Sequence, residues 1–95
     1  MRQYYYGQQS IDSSDIAAVA EATNSSILSQ GDALIALEKR VADYCGAKHC
    51  IAVANGTAAL HLSCLALNMC PGEMGLTSAM TFVADANAIR WCGAE

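Results

Sequence analysis

His49-Cys50-Ile51-Ala52-Val53-Ala54-Asn55-Gly56-Thr57-Ala58-Ala59-Leu60 is the stretch on which the fold turns. Its first six residues, 49 to 54, are apolar or small with little charge on either face, the pattern of a strand covered on both sides. Asn55-Gly56 is a small-residue turn, and a helical pattern starts at once from Thr57. A helix fed by a tight turn presents unpaired backbone N–H groups, the positive end of its dipole and, here, a hydroxyl at one point. Two readings of Asn55-Gly56-Thr57 stand side by side. In the first it is a phosphate cup: Gly56 lets a ligand approach the backbone, while the N–H and hydroxyl of Thr57 and the N–H of Ala58 donate to its oxygens. In the second it is an ordinary strand-to-helix turn with a threonine cap. It is neither a G-x-x-x-x-G-K phosphate loop nor the dinucleotide G-x-G-x-x-G.

Upstream, Asp12 followed three residues later by Asp15 resembles a capping box, and Ile16, Val19, Ala20 and Thr23 share one face, so a first helix is expected over about 13 to 24. Asn24-Ser25-Ser26 ends it, and Ile27-Leu28-Ser29-Gln30-Gly31 bridges to a second helix over 32 to 45. There Leu34, Leu37, Val41 and Tyr44 form the expected buried stripe, and Gly46 suits the carboxyl cap. Helix three, over about 57 to 67, is apolar nearly all round until Asn68, Pro71 and Gly72 break it. Gly75-Leu76-Thr77-Ser78 is a second strand candidate, and Thr81 to Trp91 a fourth helix closed by Gly93. Strand, helix, strand, helix with short connections predicts a parallel α/β sheet with right-handed crossovers, whose next strand should begin near Glu95. The chain therefore reads as an incomplete part of a larger α/β domain: residues 1–31 as an amino-terminal arm and first helix, residues 32–95 as the start of the sheet.

Composition narrows the partners. Of 95 residues 54% are hydrophobic and 15% charged, well below the usual charged share of about 25%, as for the interior part of something larger. A net charge of −4, with five Lys and Arg of which only Lys39 and Arg40 are adjacent, provides no basic stripe for a nucleic-acid backbone. No apolar run approaches the roughly 20 residues of a membrane span, and Met1-Arg2-Gln3-Tyr4-Tyr5-Tyr6 is too polar for a signal peptide, so a cytoplasmic protein is expected. Cys45, Cys50, Cys64, Cys70 and Cys92 have irregular spacing and no C-x-x-C, which points to buried free thiols rather than a zinc site or a secreted disulfide scaffold.

Few other side chains suggest chemistry. Phe82, just after the second strand candidate, would project at the carboxyl edge of the sheet, where it could stack on a planar ligand or simply pack at a helix start. His61 lies in an apolar helix as a core histidine, His49 caps a strand, and Asp12, Asp15 and Asp32 complement helix dipoles. The lysines are Lys39 and Lys48, neither placed to carry a cofactor.

Six segments in order resemble the start of the DegT/DnrJ/StrS family of sugar aminotransferases, pyridoxal-phosphate enzymes of fold type I. They are Tyr6-Gly7-Gln8-Gln9-Ser10-Ile11, Ile27-Leu28-Ser29-Gln30-Gly31, Leu37-Glu38, Tyr44-Cys45-Gly46-Ala47-Lys48-His49, Val53-Ala54-Asn55-Gly56-Thr57-Ala58-Ala59-Leu60-His61 and Thr77-Ser78-Ala79-Met80-Thr81-Phe82-Val83-Ala84. The resemblance implies that Gly56 and Thr57 hold the phosphate of pyridoxal 5'-phosphate and that Phe82 stacks on its pyridine ring. It implies that Tyr6, Ser26, Ile27, Leu28, Ser29 and Gly56 line a nucleotide-sugar site, with glutamate as amino donor, a UDP-linked 4-keto-6-deoxy sugar as acceptor, and a homodimer as the working unit. It also implies that the cofactor-bearing lysine lies past residue 95, so this chain alone is expected not to transaminate. Pro71-Gly72-Glu73-Met74-Gly75-Leu76 departs from the G-D-E-V-I type of strand lead-in that the family pattern leads one to expect. A non-catalytic α/β module holding a phosphate or nucleotide sugar, and a gene remnant, are the readings of a different class.

Overall fold

The computed structural model describes residue 5 and residues 7–95, arranged in two compact units, Met1–Cys50 and Ile51–Glu95. Each unit contributes two helices: α1 (Ser13–Thr23) and α2 (Asp32–Cys45) in the first, α3 (Gly56–Ala66) and α4 (Ala84–Trp91) in the second.

Local sequence explains where these helices begin and end. Asp12 accepts from the N–H groups of Ser14 and Asp15 at 2.7 and 3.2 Å while the Asp15 carboxylate accepts from the Asp12 N–H at 2.9 Å, the reciprocal capping box expected at α1. α2 runs from Asp32 to Cys45 as the pattern predicts, and Gly46 ends it in the left-handed region at φ 67°. Asn68, at φ 59°, turns the chain away from α3, and Gly93, at φ 80°, follows α4. Both sit where a left-handed residue releases the last helical turn. α4 is shorter than its pattern. Residues 81–83 stay outside it, and the Thr81 hydroxyl donates to the Asp85 carboxylate of its first turn.

Two expectations are corrected. Among the described residues no β-strand forms, so His49–Ala54 and Gly75–Ser78 are connecting segments here and not strands of a sheet. A strand is stable only when a neighbour satisfies its backbone groups, and that neighbour is not encoded in the segment itself. The capping role expected of His49 falls with its strand. One rung of parallel pairing is nevertheless present: Glu95 donates to the Glu73 carbonyl at 3.0 Å and its own carbonyl accepts from the Gly75 N–H at 2.7 Å. These two slanted bonds flanking Met74 are the unit of a parallel ladder, and they fall at the end of the chain where the alternation predicts a strand.

The second correction concerns burial. The chain exposes 8577 Å², against roughly 5,200 Å² for a folded chain of this length. The stripe expected on α2 is correspondingly uncovered: Leu34 is half-buried, Leu37 and Val41 are exposed, and Tyr44 is 93% exposed. Ile16 and Val19 of α1 and Leu60, Leu62 and Leu65 of α3 are exposed too. Amphipathic spacing specifies which face seeks cover; it does not supply the cover. The five cysteines are free as expected, but Cys45 and Cys70 are exposed and Cys50, Cys64 and Cys92 only half-buried.

What core there is lies in the second unit, where α3 packs against α4. Ala84, Ala88 and Ala94 are buried, Ala88 at 1% exposure. Alanine on one face of α4 permits close approach. Gly75 lies so tightly on α4 that a Cβ there would overlap the Ile89 side chain. His61 of α3 meets Trp91 of α4 edge to face, ring centroids 5.4 Å apart at 68°, and is half-buried rather than a core residue.

Candidate functional site

The amino terminus of α3 is the best-defined candidate. Asn55, in extended backbone, is its cap: the side-chain oxygen accepts from the Ala58 N–H at 2.9 Å and the carbonyl from the Ala59 N–H at 3.2 Å. The helix thus begins one residue earlier than its pattern predicts, with Gly56 and Thr57 as its first residues and Asn55, not Thr57, as cap. This removes Ala58 from the expected donor set, since its N–H is already engaged. The signal was present in the sequence, because asparagine directly before a helical glycine is among the strongest capping residues.

The N–H groups of Gly56 and Thr57 make no hydrogen bond among the described residues. A Cβ built on Gly56 would meet nothing within 4 Å, so a ligand can reach the backbone there. Charge reinforces the geometry. α1, α2 and α4 each carry an acidic side chain in the first turn, Asp15, Asp32 and Asp85, whereas α3 carries none. The partial positive charge at the start of α3, about half an elementary charge, is therefore not met by a carboxylate of its own helix. Two free amides, a threonine hydroxyl on the same residue and an uncompensated dipole can hold a phosphate dianion.

Phe82 lies two residues before α4 and its side chain is 73% exposed. Its ring is not part of the packing between α3 and α4, so the stacking alternative, rather than core packing at a helix start, keeps its structural opening.

In the first unit, Ser26 and Ile27 line a cavity of about 150 Å³ between the end of α1 and the start of α2, together with Ser25, Gln30, Gly31 and Asp32. Leu28 and Ser29 are not among its lining residues, and Leu28 is exposed. Tyr6 lies outside the described residues. Gly31 shapes this cavity and was not anticipated: a Cβ there would overlap the Ile27 carbonyl oxygen. Gln30 beside it takes a left-handed conformation, φ 58°. The Ser25 hydroxyl donates to the same Ile27 carbonyl at 3.0 Å, which fixes the bridge. Among the described residues no group of acidic, histidine or cysteine side chains could hold a metal ion, and no helix is long and apolar enough to cross a membrane.

Comparison with known proteins gives this geometry a context. Residues 9–95 match the profile of the DegT/DnrJ/EryC1/StrS aminotransferase family. The chain is similar to a GDP-perosamine synthase of Caulobacter vibrioides, 46% identical over 68 residues, covering 72% of the chain and 18% of that protein. It is similar to a UDP-4-amino-4-deoxy-L-arabinose–oxoglutarate aminotransferase of Shewanella sediminis, 35% identical over 90% of the chain and 22% of that protein. A UDP-4-amino-4,6-dideoxy-N-acetyl-beta-L-altrosamine transaminase of Campylobacter jejuni is 38% identical over 95% of the chain and 24% of its own length. The chain thus spans about a fifth of the length of these relatives.

Proposed function

The chain belongs to the DegT/DnrJ/EryC1/StrS aminotransferase family, and from that premise we propose that it is the amino-terminal part of a pyridoxal-phosphate-dependent nucleotide-sugar aminotransferase of fold type I. The observation that carries this reading is the pair of amides at Gly56 and Thr57, unbonded among the described residues, on the one described helix without an acid in its first turn. They fit the phosphate of the cofactor. The fit extends to Phe82, whose exposed ring is available to a planar heterocycle.

In this proposal Gly56 and Thr57 bind and orient the phosphate, Asn55 holds the first turn so that both amides face outward, and Phe82 fixes the plane of the ring. When bound, the cofactor supplies the electron sink through which an amino group passes from glutamate to a keto sugar. Tyr6, Ser26, Ile27, Leu28, Ser29 and Gly56 belong to the nucleotide-sugar site. The serine hydroxyls and backbone around the Ile27–Gly31 bridge provide hydrogen-bonding groups of the kind a sugar or uracil needs. The acceptor we propose is a UDP-linked 4-keto-6-deoxy sugar of the pseudaminic acid route, by similarity to the altrosamine transaminase; the perosamine and amino-arabinose relatives mark the neighbouring alternatives. A homodimer in the cytoplasm is the proposed setting.

The proposal extends to the sheet. The rung between Glu95 and Met74's neighbours supports a parallel sheet to which residues 49–54 and 75–78 contribute once neighbouring strands are present. Equilibrium dialysis of the chain against pyridoxal phosphate and against pyridoxal tests the phosphate cup. The account expects at least tenfold tighter binding of the phosphorylated form; equal affinity for the two would refute it.

A further inference from the structure

The asparagines of the chain are Asn24, Asn55, Asn68 and Asn87, and one of them has surroundings unlike the rest. An asparagine side chain is open to attack at its carbonyl carbon by the backbone nitrogen of the next residue, which closes a five-membered ring. The state of that nitrogen therefore governs the reaction. After Asn24 it is the Ser25 N–H, which donates to the Ala22 carbonyl at 3.1 Å, and after Asn68 the Met69 N–H, which donates to the Cys64 carbonyl at 3.1 Å. After Asn87 it belongs to Ala88, buried inside α4. After Asn55 it is the Gly56 N–H, which makes no hydrogen bond among the described residues. Gly56 also lacks the Cβ that hinders ring closure at the other three positions, and Asn55 and Gly56 are both exposed to the water the reaction needs.

The Asn55 side chain is disposed to react as well. Its oxygen accepts from the Ala58 N–H at 2.9 Å, which draws electron density from the carbonyl carbon, while its Nδ2 group donates to nothing among the described residues. The corresponding group of Asn24 is tied to the Ala20 carbonyl at 2.9 Å. A first helical residue also opens more readily than a helix interior, which lets the Gly56 nitrogen turn onto the side chain.

We propose that Asn55-Gly56 is a self-modification site, at which the folded chain deamidates and leaves a carboxylate at the head of α3. The Gly56 nitrogen gives up its proton to water and bonds to Cγ of Asn55; the Cγ–Nδ2 bond breaks and ammonia leaves. Water then adds to one of the two carbonyls of the cyclic imide and opens it. Attack at the side-chain carbonyl leaves an aspartyl residue, and attack at the main-chain carbonyl an isoaspartyl one. In all, one water is consumed and one ammonium ion released, with no change of oxidation state. Either product sets a negative charge beside the Gly56 and Thr57 amides, and the isoaspartyl form adds a methylene to the main chain of the turn. Weaker phosphate binding after the change rests on the function proposed above; the deamidation itself does not.

The test ages the native chain in mildly alkaline buffer and maps its peptides by mass, with an isoaspartyl methyltransferase assay alongside. The result expected is a gain of about 1 Da at Asn55, about tenfold or more faster than at Asn24, Asn68 or Asn87. Gly56→Ala adds a methyl into open space and should slow the change at Asn55 about tenfold or more, with helicity followed by circular dichroism. The comparison of the four asparagines in the native chain stands whether or not that variant folds. The deamidated chain, separated by anion exchange, should bind pyridoxal phosphate about fivefold or more weakly than the fresh chain. Modification elsewhere as fast as at Asn55, an undiminished rate in folded Gly56→Ala, or equal cofactor affinity before and after deamidation would overturn the proposal. A fresh chain indifferent to the phosphate, with Asn55 still deamidating first, supports the modification site and refutes the phosphate cup.

Discussion

Asn55 does two jobs that substitution can separate: it caps α3, and it borders the proposed phosphate site. Asn55→Asp keeps an oxygen for the Ala58 N–H, and aspartate caps helices as well as asparagine, so the fold should hold. The same change puts a carboxylate beside an anion seated on Gly56 and Thr57, at a separation taken as about 5 Å. Between an effective dielectric of 20 and that of water, the repulsion is about 1 to 3 kcal/mol per charge pair, or roughly 5- to 150-fold in affinity. Asn55→Ala acts in the opposite sense. It removes the cap, at about 1 kcal/mol of stability, but frees the Ala58 N–H as a third donor, so affinity measured on the folded chain should not fall. Urea unfolding by circular dichroism reads the first effect, and dialysis against pyridoxal phosphate the second. If Asn55→Asp bound the cofactor as tightly as the native chain with its helicity intact, the placement of the phosphate at α3 would be wrong.

Gly31→Ala should destabilise the bridge between α1 and α2 by about 1 to 3 kcal/mol, since the new methyl must displace the Ile27 carbonyl, and an unchanged urea midpoint would contradict the packing described here. The Asp12 carboxyl is held below its ordinary 3.8 by the Ser14 hydroxyl foremost and by the Ser14 and Asp15 amides. Its contribution is therefore complete above about 3.8 and disappears as pH falls through the lower folded value. Circular dichroism of the native chain should show a loss of helicity in that acid range that is smaller in Asp12→Asn, and superimposable profiles would count against the cap. Treatment with pyridoxal phosphate and borohydride should leave no stoichiometric adduct at either Lys39 or Lys48, as mass mapping would show; full labelling of one of them would reverse the expectation that this chain alone does not transaminate.

What sequence reveals here follows the range of the interactions involved. The ends of α1 and α2 were legible because Asp12, Asp15 and Gly46 act within a few residues of themselves. The start of α3 was displaced by one residue because Asn55 and Thr57 are both competent caps, and the extended backbone at Asn55 decides between them. The later start of α4 is accompanied by a side-chain bond from Thr81 to Asp85 that has no periodic signature. Residues 49–54 carry every local mark of a strand, yet pairing is a non-local property and the neighbour is not among the described residues. For the site, the small-residue turn announced an exposed helix start, while the loss of Ala58 as a donor and the close approach at Gly31 depend on geometry that composition does not carry.

Nitrogen-15 correlation spectra of the chain during titration with pyridoxal phosphate examine the free amides themselves. The Gly56 and Thr57 signals should shift most, with Ala58, whose N–H is held by Asn55, moving little. Saturable binding that left Gly56 and Thr57 in place while amides elsewhere moved would contradict the account.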